Sequence, residues 1–360
     1  MSEKLNVAVV FGGKSGEHEV SLMSATNVIN AMDKDKYNIF MIGITRQGKW
    51  MAYRGDISKI IDSSWEKEAE ELDREKTVDI MFHRFFKDST GEKIDVVFPV
   101  LHGPNGEDGT IQGLFEMLDI PYVGCGVTAS ALGMDKAFSK QLFKAAGLNV
   151  GEYTVILKRD IEKDIDSVVK LAEDKFKYPV FIKPANMGSS VGITKAHSRD
   201  ELEAGLKEAC KHDRKIIIEE NINCREVECS VLGNNDPAAS VLGEIIPSHE
   251  FYDYVAKYFD DGKSALIIPA KFSESKTQEI REAAIKAYKA LDCCGMARAD
   301  FLVDKETEKV YINELNTIPG FTKISMYPKL WDAAGLSYGK LIDRLIELAI
   351  ERYNENNGNV

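Results

Sequence analysis

RADFLVDKETEKVYINELNTIPG, residues 298–320, has two apolar runs on either side of the charged turn DKETEK. This pattern predicts an antiparallel hairpin. Asp300, Glu314 and Asn316 fall on the predicted strands and not in the turn. Side chains alternate faces along a strand, so Glu314 and Asn316 share a face, and pairing the strands around the turn brings Asp300 opposite them.

These three oxygen-bearing side chains predict a cation site. Two carboxylates held together repel each other and lose hydration, and a hard cation relieves both costs. Mg²⁺ takes few protein carboxylates and completes its shell with phosphates and water. Arg298, two residues before Asp300, shares its face and can reach a phosphate or an oxyanion. A surface salt-bridge lattice is the alternative, but it explains poorly why the polar groups interrupt the apolar runs.

The composition is that of an ordinary soluble globular protein. The chain has 360 residues, 44% of them hydrophobic and 29% charged, and its formal net charge is −12. This charge argues against a general nucleic-acid binder, which needs clustered Lys and Arg. The six cysteines form no CxxC pair, and the apolar run near the N-terminus is too short for a signal peptide or a membrane span. We therefore expect reduced thiols, a cytoplasmic location and no membrane partner.

The order of predicted elements divides the chain into three parts and indicates mixed α/β and α+β architecture. Strands and helices alternate over residues 1–124, as in an open parallel α/β domain. Residues 125–221 resemble a small α+β domain, and residues 222–360 a larger one that contains the opening hairpin.

Two loops are candidate anion sites. KPANMGSSVG, residues 183–192, lies between two predicted strands and can offer several backbone N–H groups, with Lys183 as a point charge. A flexible surface hairpin is the alternative. FGGKSGEHEVS, residues 11–21, is a glycine turn before a helix and brings Glu17, His18 and Glu19 together, although a plain tight turn explains it too. Together with the hairpin, these loops indicate an enzyme that binds a nucleotide and Mg²⁺. The pattern does not identify its other substrate.

Seven motifs in order resemble the D-alanine–D-alanine ligase family of the ATP-grasp superfamily, close to the branch that includes D-alanine–D-serine ligases. They are GEHEVSL, LHGPNGEDGTIQG, MDK, KPANMGSSVG, YDYVAKY, RADF and NELNTIPGFT. The resemblance covers essentially the whole chain and implies an ATP-grasp fold of three domains. It also implies an activity, in which ATP phosphorylates one D-alanine and the amine of a second displaces the phosphate, for peptidoglycan precursor synthesis.

The resemblance implies a role for each matching residue. Glu19 is expected to bind the first substrate's ammonium group, beside His102, and Ser189 to hydrogen-bond Glu19 and the lid residue Tyr258. Arg298 and Gly320 are expected to form the oxyanion site. The residues expected to bind ATP are Lys136, Lys183, Ser189, Ser190, Glu219, Glu226 and Lys257. Asp300, Glu314 and Asn316 are expected to hold two Mg²⁺ ions, or Mn²⁺ in their place.

The second amino-acid subsite is expected at Ser325 and Met326. Met326 is apolar where D-serine-preferring relatives carry arginine, and Tyr252 stands where some carry phenylalanine. D-Alanine is therefore the predicted second substrate, and D-serine the alternative. Tyr258 is kept, which argues against depsipeptide formation, while Val255 replaces the acid common in the family lid.

Two further readings stay open. A non-catalytic ATP sensor would not need Arg298, the three metal ligands and the lid together. Another ATP-grasp ligase would keep the loop at 183–192 but not GEHEVSL and the lid. The resemblance also implies a homodimer formed through the first domain.

Overall fold

The computed structural model describes residues 4–73, 93–246 and 265–358, whose strands form three sheets. The lid positions Tyr252, Val255, Lys257 and Tyr258 lie outside the described residues. Within the described ranges, no helix combines the length and the apolar character needed to cross a membrane.

The first sheet has the order β3-β2-β1-β4. Its strands are β1 (Leu5–Gly12), β2 (Tyr37–Ile44), β3 (Trp50–Tyr53) and β4 (Val96–Val100). β1 pairs in parallel with β2 and β4, and β3 joins as an antiparallel edge. The associated helices are α1 (His18–Ala31), α2 (Ser58–Ile61), α3 (Trp65–Asp73) and α4 (Thr110–Met117). The predicted parallel sheet is therefore present, with one antiparallel edge strand added.

The second sheet is antiparallel, in the order β5-β8-β6-β7. Its strands are β5 (Tyr153–Leu157), β6 (Val180–Pro184), β7 (Thr194–Ala196) and β8 (Lys215–Glu220). The helices before and between these strands are α5 (Val127–Met134), α6 (Lys136–Ala145), α7 (Lys158–Lys163), α8 (Ile165–Lys175) and α9 (Arg199–Ala209). Gly147, just after α6, has φ +75°, a backbone angle that glycine adopts without strain.

The third sheet is antiparallel and contains the opening hairpin, in the order β11-β10-β9-β12-β13. Its strands are β9 (Cys224–Leu232), β10 (Ala238–Ile246), β11 (Ala265–Ile267), β12 (Met296–Asp304) and β13 (Val310–Asn316). Asp300 is opposite Glu314, as the sequence predicts, and Arg298 is opposite Asn316. A bulge follows Asp300 and shifts the register for the rest of the pair. α10 (Glu274–Ala290), α11 (Met326–Ala333) and α12 (Tyr338–Asn356) complete the fold.

Side-chain packing joins the three sheets across the predicted borders. Phe143 of α6 belongs to the core of the third sheet, although α6 precedes the second sheet in the chain. The C-terminal helix α12 places Leu341 and Leu345 in the core of the first sheet. Tyr37 Oη also donates a hydrogen bond to Asp343 Oδ1 of α12, at 2.8 Å. The first and third sheets therefore share a core, α6 packs on the third sheet, and the limits 1–124, 125–221 and 222–360 stay a prediction.

Candidate active site

A cavity of about 140 Å³ lies where residues from all three parts of the chain meet. Eleven of the residues singled out from the sequence line it, namely Glu17, His102, Lys136, Ser189, Ser190, Arg298, Glu314, Asn316, Gly320, Ser325 and Met326. The structure therefore collects groups that are as much as 309 positions apart in the chain.

Glu17 is the acid of the glycine turn that points into the cavity. It is 7% exposed, and Ser189 Oγ donates a hydrogen bond to its Oε1. Its carboxylate lies against Gly103 and Gly188, and a methyl group added at Gly188 would be 2.9 Å from Glu17 Oε2. Two glycines thus leave the room that this buried carboxylate occupies.

Glu19 has a different position, and this corrects the expected partner of Ser189. The Glu19 side chain is 44% exposed and forms an ion pair with Arg46. Ser189 contacts Glu17 and not Glu19. The physical reason is that Glu17 occupies the N-cap position of α1 and Glu19 lies two positions further on, which turns the two side chains about 200° apart around the helix axis. His18, between the two acids, is fully buried with its Nδ1 2.7 Å from the carbonyl oxygen of Gly13.

The loop between β6 and β7 has the irregular backbone expected of an anion-binding loop. Ser189, Ser190 and Gly192 all have positive φ, at 45°, 61° and 70°. Two serines in the left-handed region are uncommon, and such backbone strain concentrates at functional sites. Successive N–H groups in such turns can point into one concavity, so the loop can receive an anion.

Two lysines hold Glu219 in the interior beside this loop. Glu219 Oε2 is 2.7 Å from Lys183 Nζ, and its Oε1 is 3.0 Å from Lys140 Nζ. Burial favours the neutral acid, but the two ammonium groups outweigh that effect and lower the pKa of Glu219 to about 2. Glu219 therefore stays ionised near neutral pH. The residues that line the cavity do not include Lys183, Glu219, Glu226 or Asp300.

The hairpin groups and Lys136 lie together at the cavity. Lys136 Nζ donates to the carbonyl oxygen of Met187 at 2.8 Å and is 3.7 Å from Glu314 Oε2. Arg298 donates to both oxygens of Asp300, each at 2.7 Å. Asn316 Nδ2 donates to Asp300 Oδ2 at 2.9 Å. The predicted convergence of two carboxylates and an amide on one sheet face is therefore present.

His102 is held by three polar neighbours at the cavity wall. Its Nδ1 is 3.2 Å from the carbonyl oxygen of Ile318 and 3.5 Å from Glu107 Oε1, and its Nε2 is 3.3 Å from Ser24 Oγ. Burial alone would lower the pKa of His102, but Glu107 raises it above the usual value. Burial also raises the pKa of Glu107, to about 7, and nearby Glu17 acts in the same direction. His102 and Glu107 therefore favour each other's charged forms, against the effect of burial.

The segment after the hairpin closes the cavity on the side of the third sheet. Ser325 Oγ accepts a hydrogen bond from the Thr322 N–H at 3.1 Å, which orients its hydroxyl at the start of α11. Met326 packs against Ile245 and Leu330, and a side chain at Gly243 would collide with it. An apolar side chain, Met326, therefore lies beside the hydroxyl of Ser325 at the predicted second subsite.

Four residues of this region were not assigned a role from the sequence. Glu17 precedes the chosen acid of GEHEVSL by two positions, and Glu107 belongs to the quoted motif LHGPNGEDG. Lys140 follows Lys136 by one turn of α6, so the two side chains lie on the same face of the helix. Glu228 follows Glu226 by two positions on a strand, which places both on one face. Periodicity was the available signal in the last two cases.

Two family models match the chain. The D-ala D-ala ligase N-terminus matches residues 6–125, and the D-ala D-ala ligase C-terminus matches residues 142–347. A D-alanine--D-alanine ligase of Thermoanaerobacter sp. (strain X514) is 58% identical over 357 residues, covering 98% of each chain. One of Acetivibrio thermocellus is 53% identical, covering 99% of this chain and 98% of its own.

Two solved structures of ligases are also similar to this chain. The VanG D-Ala:D-Ser ligase from Enterococcus faecalis has a TM-score of 0.83 and 39% identity, and covers 96% of this chain and 100% of its own. The D-alanine-D-alanine ligase from Coxiella burnetii has a TM-score of 0.84 and 37% identity, with coverage of 99% and 97%. The fold is the three-domain ATP-grasp fold. The chain belongs to the D-alanine–D-alanine ligase family.

Proposed function

We propose that the protein joins two molecules of D-alanine to D-alanyl-D-alanine, with ATP converted to ADP and phosphate, for peptidoglycan precursor synthesis. The observation that carries this proposal is the meeting of Glu17, Lys136, Arg298 and Glu314 around one cavity. These groups supply an acceptor for an ammonium group, cations for phosphates and an oxyanion, and a carboxylate ligand for a divalent ion. Family membership agrees with this chemistry, because the matched relatives are named D-alanine--D-alanine ligases.

We assign the ammonium group of the first D-alanine to Glu17 and no longer to Glu19. The carboxylate of Glu17 is buried at the cavity and already accepts a hydrogen bond from Ser189. A buried carboxylate pairs well with an ammonium ion because little water screens the pair. Glu19 is half exposed and occupied by Arg46, so it offers no such site. His102 lies on the same wall as Glu17 and remains a proposed contact of the first substrate.

The proposed ATP site lies between the second and third sheets. Lys136 and Lys183 bind phosphate oxygens, and the N–H groups of the loop at 188–192 surround the terminal phosphates. Glu219 and Glu226 are proposed to bind the adenine and the ribose. The ionised state of Glu219 supports this role, because a carboxylate accepts hydrogen bonds from an exocyclic amine.

The chain's oxygen donors fit a divalent cation. Asp300, Glu314 and Asn316 share one sheet face, and Mg²⁺ prefers an oxygen set with only one or two carboxylates, completed by phosphates and water. We propose two Mg²⁺ ions there, with Mn²⁺ as a substitute. Bound cations would neutralise phosphate charge during transfer.

The reaction has two steps at this cavity. An oxygen of the first D-alanine carboxylate takes the terminal phosphoryl group of ATP, so ADP leaves and an acyl phosphate forms. The free amine of the second D-alanine, having lost a proton, then attacks the acyl carbon. A C–N bond forms and the C–O bond to phosphate breaks. Arg298 and the N–H of Gly320 are proposed to stabilise the oxyanion of the tetrahedral intermediate.

The lid residues Lys257 and Tyr258 lie outside the described residues, and their closure over the acyl phosphate remains a prediction. Closure would exclude the water that competes with the amine. The cytoplasmic location and the homodimer through the first domain are likewise proposals. Light scattering of the purified protein tests the dimer.

D-Alanine is the proposed second substrate because Met326 presents an apolar side chain to the cavity beside Ser325. A hydroxymethyl group in place of the methyl group would meet few polar partners there. The relative named as a D-Ala:D-Ser ligase makes D-serine the second candidate.

Product analysis separates these candidates. The enzyme is supplied with ATP, Mg²⁺ and an equimolar mixture of D-alanine and D-serine at neutral pH, and the dipeptides are quantified by mass spectrometry. We expect D-alanyl-D-alanine to dominate. If D-alanyl-D-serine is the main product, the second substrate is D-serine. If the protein binds ATP but forms no dipeptide, the alternative of a non-catalytic ATP sensor is favoured.

A further inference from the structure

Three carboxylates lie side by side across the third sheet. Asp300 on β12 is opposite Glu314 on β13 and opposite Glu228 on β9. Like charges at directly opposite positions of neighbouring strands destabilise a sheet. Arg298, two residues from Asp300 on the same face, supplies the positive charge in this row.

Arg298 is placed between two of these acids. Its Nε is 2.7 Å from Asp300 Oδ1 and 2.9 Å from Glu228 Oε2. Because Nε carries a single hydrogen, the two carboxylates compete for it. Asp300 also takes a hydrogen bond from Nη2 of Arg298 and therefore holds the guanidinium by two bonds.

This arrangement has a consequence for the loaded enzyme. Asp300 is a proposed cation ligand. Its Oδ2 already accepts hydrogen bonds from both Arg298 and Asn316, and the two-bond pair with Arg298 turns its carboxylate toward the guanidinium. When Asp300 turns toward the cation, Arg298 loses the partner that fixes its direction. Glu228 lies within reach of the released Nε–H and is only 7% exposed, so it offers a rigid second acceptor.

We propose that Glu228 is a positioning residue, which holds Arg298 toward the reacting carbonyl and thereby releases Asp300 for the divalent ion. This inference rests on the metal assignment made above. Glu228 acts through Arg298 in this scheme and does not itself bind the cation. It should therefore influence metal affinity only while Arg298 is present.

The test measures Mn²⁺ binding in the presence of ADP by electron paramagnetic resonance, which needs no turnover. We compare the wild type, Glu228→Gln, Arg298→Met and the double variant. Glu228→Gln should weaken Mn²⁺ binding by roughly 3- to 30-fold, which lies within the range of coupling between contacting residues, because Arg298 then pairs more firmly with Asp300. In the Arg298→Met background the same substitution should have little effect. In steady-state kinetics, Glu228→Gln should lower kcat more than it changes the KM for ATP.

Glu244→Gln is the matched control. Glu244 pairs with Arg225, with its Oε1 2.7 Å from Nε, between β10 and β9 of the same sheet. It is opposite Val227, whereas Glu228 is opposite Gly243, so the control pair lies on the other face of the sheet. Loss of the ion pair between Glu244 and Arg225 should lower thermal stability and leave Mn²⁺ binding unchanged.

The outcomes separate this inference from the metal assignment. If Asp300→Asn binds Mn²⁺ as tightly as the wild type, the metal assignment is wrong. If Asp300→Asn loses binding while Glu228→Gln binds normally, or weakens binding equally with and without Arg298, the positioning role is wrong and the metal assignment stands. Should Glu228→Gln not fold, Glu228→Asp, which shortens the reach to Arg298 by one methylene, is put through the same comparison.

Discussion

At the scale of single residues, the two acids of GEHEV differ in burial and in partner, and a paired substitution tests which one serves the first substrate. Glu17→Gln should lower kcat/KM for D-alanine by about 10- to 100-fold, because a charge-assisted hydrogen bond is worth about 1.5–3 kcal/mol. Glu19→Gln should change kcat/KM by less than about threefold, as expected for an exposed ion pair. Initial rates over a range of D-alanine concentrations measure both. A large loss of kcat/KM for Glu19→Gln alone would show that Glu19, and not Glu17, binds the ammonium group.

Glu107 gives a prediction on pH and stability. Its folded-state pKa is about 7, above the ordinary value of 4.5, so between these values the folded protein binds more protons than the unfolded chain. The contribution of this group to stability is therefore present at pH 4.5 and is lost as the pH rises toward 7. Glu107→Gln should make the fall in unfolding free energy over this window less steep. Urea denaturation at several pH values measures the slope, and an unchanged slope would contradict the assignment.

At the scale of elements, the loop between β6 and β7 and the glycine turn meet at Glu17. Gly188→Ala should raise the KM for D-alanine, because the new methyl group would lie 2.9 Å from Glu17 Oε2 and displace the carboxylate. Gly16→Ala is the control, since a methyl group there has no neighbouring atom within 4 Å. Steady-state kinetics of both variants give the comparison, and equal KM values would refute the steric reading.

Most strands, most helices and the faces of the hairpin could be predicted from the sequence. The partner of Ser189 and the packing of α12 could not, for physical reasons. Alternation along the hairpin correctly placed Asp300, Glu314 and Asn316 on one face, because strand periodicity is local and strict. The choice between Glu17 and Glu19 depends on where a helix begins and on a contact with Ser189, 172 positions away. Such long-range contacts leave no periodic signal. The packing of α12 on the first sheet was missed for the same reason.

At the scale of the whole molecule, α12 connects the end of the chain to the first sheet. Arg352 of α12 donates hydrogen bonds to the carbonyl oxygens of Tyr122 and Gly124 and lies over the Tyr122 ring, 4.1 Å from its centroid. Arg352→Met should lower the free energy of unfolding by about 2–3 kcal/mol, because buried acceptors lose a charged donor. Chemical denaturation measures this change.

Arg344→Met is the control on the same helix. Arg344 is half exposed and pairs with Glu347 and Glu351, so its loss should cost less than about 1 kcal/mol. Equal losses for the two variants would show that the contact with the first sheet adds no stability.

The position of α12 also bears on how the nascent chain matures on the ribosome. Leu341 and Leu345 complete a core whose other members, among them Val9 and Val96, are translated hundreds of residues earlier. The core of the first sheet therefore keeps apolar surface exposed to solvent until α12 leaves the exit tunnel. A chain released before residue 338 would lack that cover, so premature termination near the end should produce aggregates and not a shortened enzyme.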